Sequence, residues 1–401
     1  NVAKKDYKAM HIPMTIALFD ETGKQLELDE TGATEKVIEL KEKKHKFVFA
    51  NMPSKPIASL FRGFSAPVIV KFKRPVEELG KLMAFDTDSY NRWDAAQIIA
   101  SIVITNAYDA MCKGKDANCP EYFINAISQV LTDTHTDPAL LAEALSLPML
   151  MNIMTSMKNI DVDILYQAKE FIKKSLANAL EIEFLSVYNQ NFVEGAYKVE
   201  PADIAKRSLK NICLGYLMCT DNPDIQRLCQ QQYENANNMT DSLSALTLYV
   251  HHQTEGFELL LMDFYDKWQD NALVMNKWFT LQATSPAPNT LNNVIELMQD
   301  AAFSMENPNN IRALIGTFST NNLQFNQGSG KGYKFVADQV ITLNTTNPQM
   351  ASRIVSAFNS WKTFNKPRQK LMQQQLQRIL DIDNISPDVF EIVNKALINK
   401  A

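Results

Sequence analysis

The sequence predicts an α+β chain in two parts, a short antiparallel β-sandwich followed by an all-α superhelix of stacked, armadillo/HEAT-like helix pairs. Three observations carry this. Apolar residues alternate with period two up to about Arg74, and from about Val76 onward they recur at helical spacing. A capping residue followed by proline at the first helical position occurs at Asp137-Pro138, Asn222-Pro223, Asn307-Pro308, Asn347-Pro348 and Ser386-Pro387. The intervals between these starts are 85, 85, 40 and 39 residues, two doubled and two single spacings of about 40, the length of a two-helix solenoid repeat. The repeat is carried by this spacing and not by visible self-similarity.

In the β part, Met14, Ile16 and Leu18 alternate ahead of a turn at Asp20, Glu21, Thr22 and Gly23. Further strands are expected at 36–40, 46–49, 57–61 and 68–72, giving five or six in all. That is fewer than the ~7 of a complete sandwich, so residues 1–75 read as a sandwich module, truncated at its N-terminus. The basic cluster at 41–46 (KEKKHK) lies between two strand-like runs and is expected to be a solvated hairpin tip.

In the helical part, 76–401, one face is expected to carry Ala205, Leu209, Ile212, Cys213 and Tyr216, and another Leu371, Met372, Leu376, Ile379 and Leu380. Trp268, Met275, Trp278 and Phe279 at helical spacing predict core between helices.

Composition narrows the function. Forty basic residues against 45 acidic ones give a charge of −5 without any Lys/Arg stripe, which argues against nucleic acid as a partner. No run reaches the ~18 to 20 continuous apolar residues that span a bilayer, and residues 1–6 lack the apolar region of a signal peptide. No membrane is expected, and the chain reads as soluble. The five cysteines, Cys112, Cys119, Cys213, Cys219 and Cys229, include no C-x-x-C pair. Their odd number predicts reduced thiols and a cytoplasmic setting, with a Cys112–Cys119 pair as the lesser alternative.

No catalytic centre is legible. H-E-x-x-H is absent, and of the five histidines only His251 has a partner, Glu255, at the i, i+4 spacing a metal could share, with no third ligand evident. Gly63-Phe64-Ser65-Ala66-Pro67 fails G-x-S-x-G at its last position. Gly328, Ser329, Gly330, Lys331 and Gly332 lack the order of a phosphate loop and predict a glycine turn between helices. Asp381 and Asp383, two apart, do not face each other on a helix. One pattern stands out. Arg312 lies five residues after Asn307 and Arg353 six after Asn347, nearly equivalent places in neighbouring repeats. Stacking could set both guanidinium groups on one surface that attracts carboxylates, including a peptide C-terminus. The alternative is two separate structural ion pairs.

Several long words resemble the C-terminal portion of the bacterial-type aminopeptidase N family, zinc metallopeptidases of the gluzincin type. They are FRGFSAPV at 61–68, RWDAAQ at 92–97, DPALLAEALSLP at 137–148, DIAKRSLKN at 203–211, NANNMTDSLSAL at 235–246, KWQDNALVMNKWFTLQATS at 267–285, NPNNIRALIG at 307–316 and NPQMASR at 347–353. They run in family order across nearly the whole chain. The resemblance implies a four-domain parent of which this sequence matches the last two, the small β-sandwich and the helical superhelix. The parent's exopeptidase motif, zinc motif and transition-state tyrosine match nothing here, so no catalytic or metal residue carries over. Zinc is expected only in the parent's catalytic domain, and the chain alone is expected to be inactive.

The resemblance further implies that the helical domain covers the catalytic domain and restricts access to an internal cavity. Arg312, Gln349 and Arg353 fall in words whose family counterparts line that cavity. The expected partners are the parent's catalytic and N-terminal domains and peptide substrates. Two other classes remain open: a free-standing helical-repeat scaffold that binds peptides or proteins, and a metal enzyme around His251 and Glu255.

Overall fold

In the computed structural model of the chain, residues 8–398 are described. The segment 1–6, read above for a signal peptide, lies outside them.

Three strands form one antiparallel sheet in the order β2-β1-β3, with β1 at Ile12–Phe19, β2 at Glu35–Leu40 and β3 at Ile57–Leu60. The register sets Met14 opposite Ile38 and Leu18 opposite Ala58. Because side chains alternate across a strand, β1 serves two cores. Met14, Ile16 and Leu18 pack with Leu26, Leu28 and Ile38 in a small core of the β part. Ala17 and Phe19, joined by Ile57, enter the large helical core.

The segments 46–49 and 68–72, expected as strands, are not strands. A strand persists where a neighbour takes its backbone N–H and C=O groups, and β1 is the only strand here with a partner on both sides. Without a return strand the basic segment 41–46 is an exposed loop and not the tip of a hairpin.

Helices run from α1 (Val76–Phe85) and α2 (Ser89–Cys112) to Pro387–Ile398. All five cap-plus-proline signals open helices. Asp137, Asn222, Asn307 and Asn347 each accept a hydrogen bond from a backbone N–H two or three residues on, and Ser386 Oγ accepts from Val389 N. The expected faces are buried, with Cys213, Met372, Leu376 and Ile379 fully inside. Trp278, Met275 and Phe279 are core, with Trp268 packed against it. At the glycine turn, Gly330 takes φ +74° just before the helix Lys331–Thr346, and a Cβ on Gly332 would lie 2.4 Å from the Phe325 carbonyl oxygen.

α2 is long and apolar enough, by length and composition, to cross a membrane. Here it is core, burying Ala95, Ile99, Val103 and Ile104 against α1 and the helix Val162–Ala179.

Three buried arginines join what the helices leave apart. Arg62 donates from Nε to Glu35 (2.6 Å), from Nη1 to Asp86 (2.6 Å) and from Nη2 to Thr87 Oγ1 (2.7 Å), fastening the sheet to the α1–α2 corner. Asp86 is enclosed there with its Oδ2 unpartnered, and burial pushes its carboxyl above the usual carboxylate range. Arg92 donates to the Met83 and Ala84 carbonyl oxygens at the end of α1 and to Asp133 and Thr136 beyond the next helix.

Arg368 closes the superhelix. Its Nη2 donates to Asp163 (2.5 Å), its Nη1 to Asp161 (3.4 Å) and its Nε to the Asn326 carbonyl oxygen (2.8 Å). Asn365 Nδ2 donates to Asp161 Oδ2 (3.1 Å), and Ile160 forms a parallel bridge with Phe364. The side chains that meet are 204 to 207 positions apart in sequence. The array therefore curls back onto itself.

Arg368 is 4% exposed, and replacing it with alanine removes a donor from the Asn326 carbonyl and from two partly solvated carboxylates. We expect Arg368→Ala to lower unfolding free energy by about 2 kcal/mol, read by urea titration.

A second test uses acid. Burial pushes the Asp133 carboxyl up, but hydrogen bonds from Thr136, Arg92 and the His135 and Thr136 amides prevail and hold it at about 2. A depressed carboxylate contributes stability above its unfolded pKa, which is lost as pH falls through the folded value. The melting temperature should therefore fall between pH 4 and pH 2, and Asp133→Asn should flatten that part of the profile.

Candidate functional site

Arg312 sits where helix geometry breaks. The helix opened by Asn307 runs Pro308–Ile311, passes through a π-helical turn at Arg312–Gly316 and continues Thr317–Ser319. One turn thus holds an extra residue, a feature that frequently accompanies functional sites. Thr317 Oγ1 donates to the Arg312 carbonyl oxygen (3.2 Å), giving the displaced carbonyl a partner. Asn310, buried two residues before Arg312, fixes the helix by accepting from Ser304 N and donating to Asn276.

The Arg312 side chain is exposed, and its Nη1 donates to Asn309 Oδ1 (3.0 Å). It borders a cavity of about 600 Å³ lined also by Leu273, Asn276, Lys277, Thr280 and Thr284. The lining contains two cations and no carboxylate. Neither Arg312 nor Lys277 forms an ion pair among the described residues. Such a surface attracts carboxylates, and guanidinium can bind one through two parallel N–H donors.

Gln349 and Arg353 lie one turn apart on the helix Pro348–Val355, on the same exposed face. That helix packs against the π turn, so the two repeats meet as the spacing predicts. Gln349 and Arg353 do not line the Arg312 cavity. Arg353 forms no ion pair among the described residues, so the alternative of two separate structural ion pairs is not realised.

His251 does not offer a metal ligand. Its Nε2 lies 2.9 Å from the Leu281 carbonyl oxygen and 3.2 Å from Thr284 Oγ1, and burial lowers its pKa. Among the described residues no group of three or more His, Cys, Asp and Glu could hold a metal ion. Ser65 of the failed G-x-S-x-G word is structural, its Oγ accepting from Thr15 N (3.0 Å). The π turn and the three buried arginines were missed from sequence. Only Gly316, set among the apolar residues after Arg312, hinted at the first.

The arrangement defines a class, an immunoglobulin-like β module joined to an armadillo-type helical array. Residues 76–398 match the family described as "Domain of unknown function (DUF3458_C) ARM repeats", and residues 1–73 the one described as "Domain of unknown function (DUF3458) Ig-like fold". The chain belongs to this family. It is 37% identical to aminopeptidase N of Escherichia coli over 390 residues, 97% of this chain and 45% of that protein. It is likewise 37% identical to aminopeptidase N of Haemophilus influenzae, over 97% of this chain and 44% of that one. The crystal structure of Legionella pneumophila aminopeptidase A in complex with aspartic acid superposes with a TM-score of 0.84 at 29% identity, covering 96% of this chain and 45% of that one. The chain thus spans a little under half the length of the relatives it matches, and corresponds to their C-terminal part.

Because Arg312 and Arg353 are exposed and form no ion pair among the described residues, replacing either with alanine should shift stability by less than about 0.5 kcal/mol. Urea titration of the two variants checks this.

Proposed function

We propose that this chain is the non-catalytic C-terminal region of a zinc aminopeptidase that removes N-terminal residues from peptides. The observation that carries the proposal is the 37% identity to aminopeptidase N across 97% of the chain. In this reading residues 1–75 and 76–401 are two domains that cover the catalytic domain and restrict which peptides reach it. Zinc and the hydrolytic chemistry belong to that other domain. Arg312, Gln349 and Arg353 contact peptide beyond the cleavage site, a role supported by two exposed guanidinium groups on neighbouring repeats that form no ion pair among the described residues. The five free cysteines support a reducing, cytoplasmic setting.

The test is kinetic, in the complete enzyme. Loss of one charge-assisted hydrogen bond to peptide is worth about tenfold, so Arg312→Ala and Arg353→Ala should each lower kcat/KM about tenfold for long peptides and less for dipeptides. Unchanged kinetics across peptide lengths would sink the contact role. Absence of any peptidase activity in the complete protein would sink the parent assignment in favour of a binding scaffold.

A further inference from the structure

The cavity beside Arg312 has its acceptors engaged by the fold and its donors left open. Asn310 Nδ2 donates to Asn276 Oδ1 (2.9 Å), and Arg312 Nη1 donates to Asn309 Oδ1 (3.0 Å). Each bond sets the direction of an asparagine amide. That leaves the Nδ2 groups of Asn276 and Asn309 without an acceptor among the described residues. Thr247, Thr280 and Thr317 donate to the carbonyl oxygens of Leu243, Ala313 and Arg312. Lys277 Nζ and the remaining Arg312 N–H groups have no acceptor among the described residues, and no carboxylate lines the cavity.

The rest of the lining is largely apolar. Leu243, Leu281 and Ala313 border the space together with Leu273, which is 74% exposed. A volume of about 600 Å³ lies within the range of small-ligand sites. An inorganic anion would meet the two cations and leave the leucines uncovered. A neutral apolar ligand would leave the open N–H groups and both charges unanswered. What matches the lining is a molecule with an apolar group and an acceptor-only carboxylate close together. The last residue of a peptide has that make-up.

We propose that this cavity holds the C-terminal residue of a peptide, with Lys277 and Asn276 as specificity-determining residues alongside Arg312. The proposal rests on the peptide-contact reading above and narrows it to one recognised group. Lys277 and Arg312 donate to the free carboxylate, and Asn276 Nδ2 donates to the carbonyl oxygen of the peptide bond before it. The apolar side chain packs on Leu243, Leu273 and Ala313. Gln349 and Arg353, which do not line the cavity, take no part in this anchoring. Amidation of the peptide's C-terminus removes the charge and exchanges an acceptor oxygen for a donor. The pocket therefore distinguishes acid from amide.

The test compares free-acid and C-terminally amidated peptides of one sequence ending in leucine, from dipeptide to decapeptide, on the complete enzyme. At lengths that reach the cavity the acid should have a kcat/KM about tenfold above that of the amide, carried by KM. Lys277→Ala should bring the acid down toward the amide, and Lys277→Arg should retain the gap. Lys277 is exposed and forms no ion pair among the described residues, so both variants should fold. Asn276→Asp keeps the acceptor for Asn310 and should narrow the gap by setting a negative charge beside the carboxylate. Equal kinetics of acid and amide at every length, or a gap unchanged by both Lys277→Ala and Asn276→Asp, would overturn the proposal. A complete protein that hydrolyses no peptide sinks the aminopeptidase reading instead, and fluorescence anisotropy of the same peptide pairs then decides the pocket. Binding of the acid about tenfold tighter than the amide upholds it, and equal binding overturns it.

Discussion

The curled shape of the helical array depends on one buried guanidinium. A stack of helix pairs, each packed only on its neighbours, has no intrinsic reason to meet itself. Here the N-terminal turn of Val162–Ala179 and that of Lys366–Leu380 are brought together, and Arg368 of the second donates to Asp161 and Asp163 at the start of the first. Two helix N-termini alone would repel, since each presents unpaired N–H groups and a positive dipole end. Asp161 and Asn365 answer this locally as caps, and Asp161 and Asp163 then add the negative charge that Arg368 binds. The closure is electrostatically consistent at each level.

Arginine recurs wherever the chain needs one group to satisfy several acceptors from different elements. Arg62, Arg92 and Arg368 all do so with little exposure. The planar fork of five donors suits this better than an ammonium, which is more strongly hydrated and has a less directed geometry. Arg62 completes what β1 begins. The strand divides its side chains between two cores, so the sheet cannot turn relative to the helices without uncovering Phe19 and Ile57. Arg62 then fixes that orientation through Glu35 and Asp86.

Local signals were legible in the sequence and distant ones were not. A cap such as Asn222 acts on an N–H two residues away, so five helix starts could be read from dipeptides. The division into a β part and a helical part followed from the change of period for the same reason. The carboxylate partners of Arg62 and Arg368 lie 24 to 207 residues away and leave no local trace. The strand count failed through the same divide. Alternation at 68–72 is a local property and was read correctly, but a strand is made by its neighbour, which alternation does not report. At the candidate site, the near-equivalent placement of Arg312 and Arg353 was legible from spacing. The π turn beneath Arg312 was not, because a single extra residue in a turn barely alters the apolar pattern.

Set beside the buried arginines, Arg312 and Arg353 look different in kind. The buried ones have their donors distributed over carbonyls and carboxylates that the fold itself provides. Arg312 makes one bond to the neutral Asn309 side chain, and Arg353 makes no ion pair among the described residues. Solvent covers both, so neither costs the fold much and neither holds it together. Stability therefore does not explain why a guanidinium stands at each place, nor why Arg312, at the start of a π turn, shares with Lys277 a cavity lined by no carboxylate. An anionic group arriving from outside the chain would find two cations there whose partners the fold has left unassigned. That is the physical ground for the recognition role proposed for this surface.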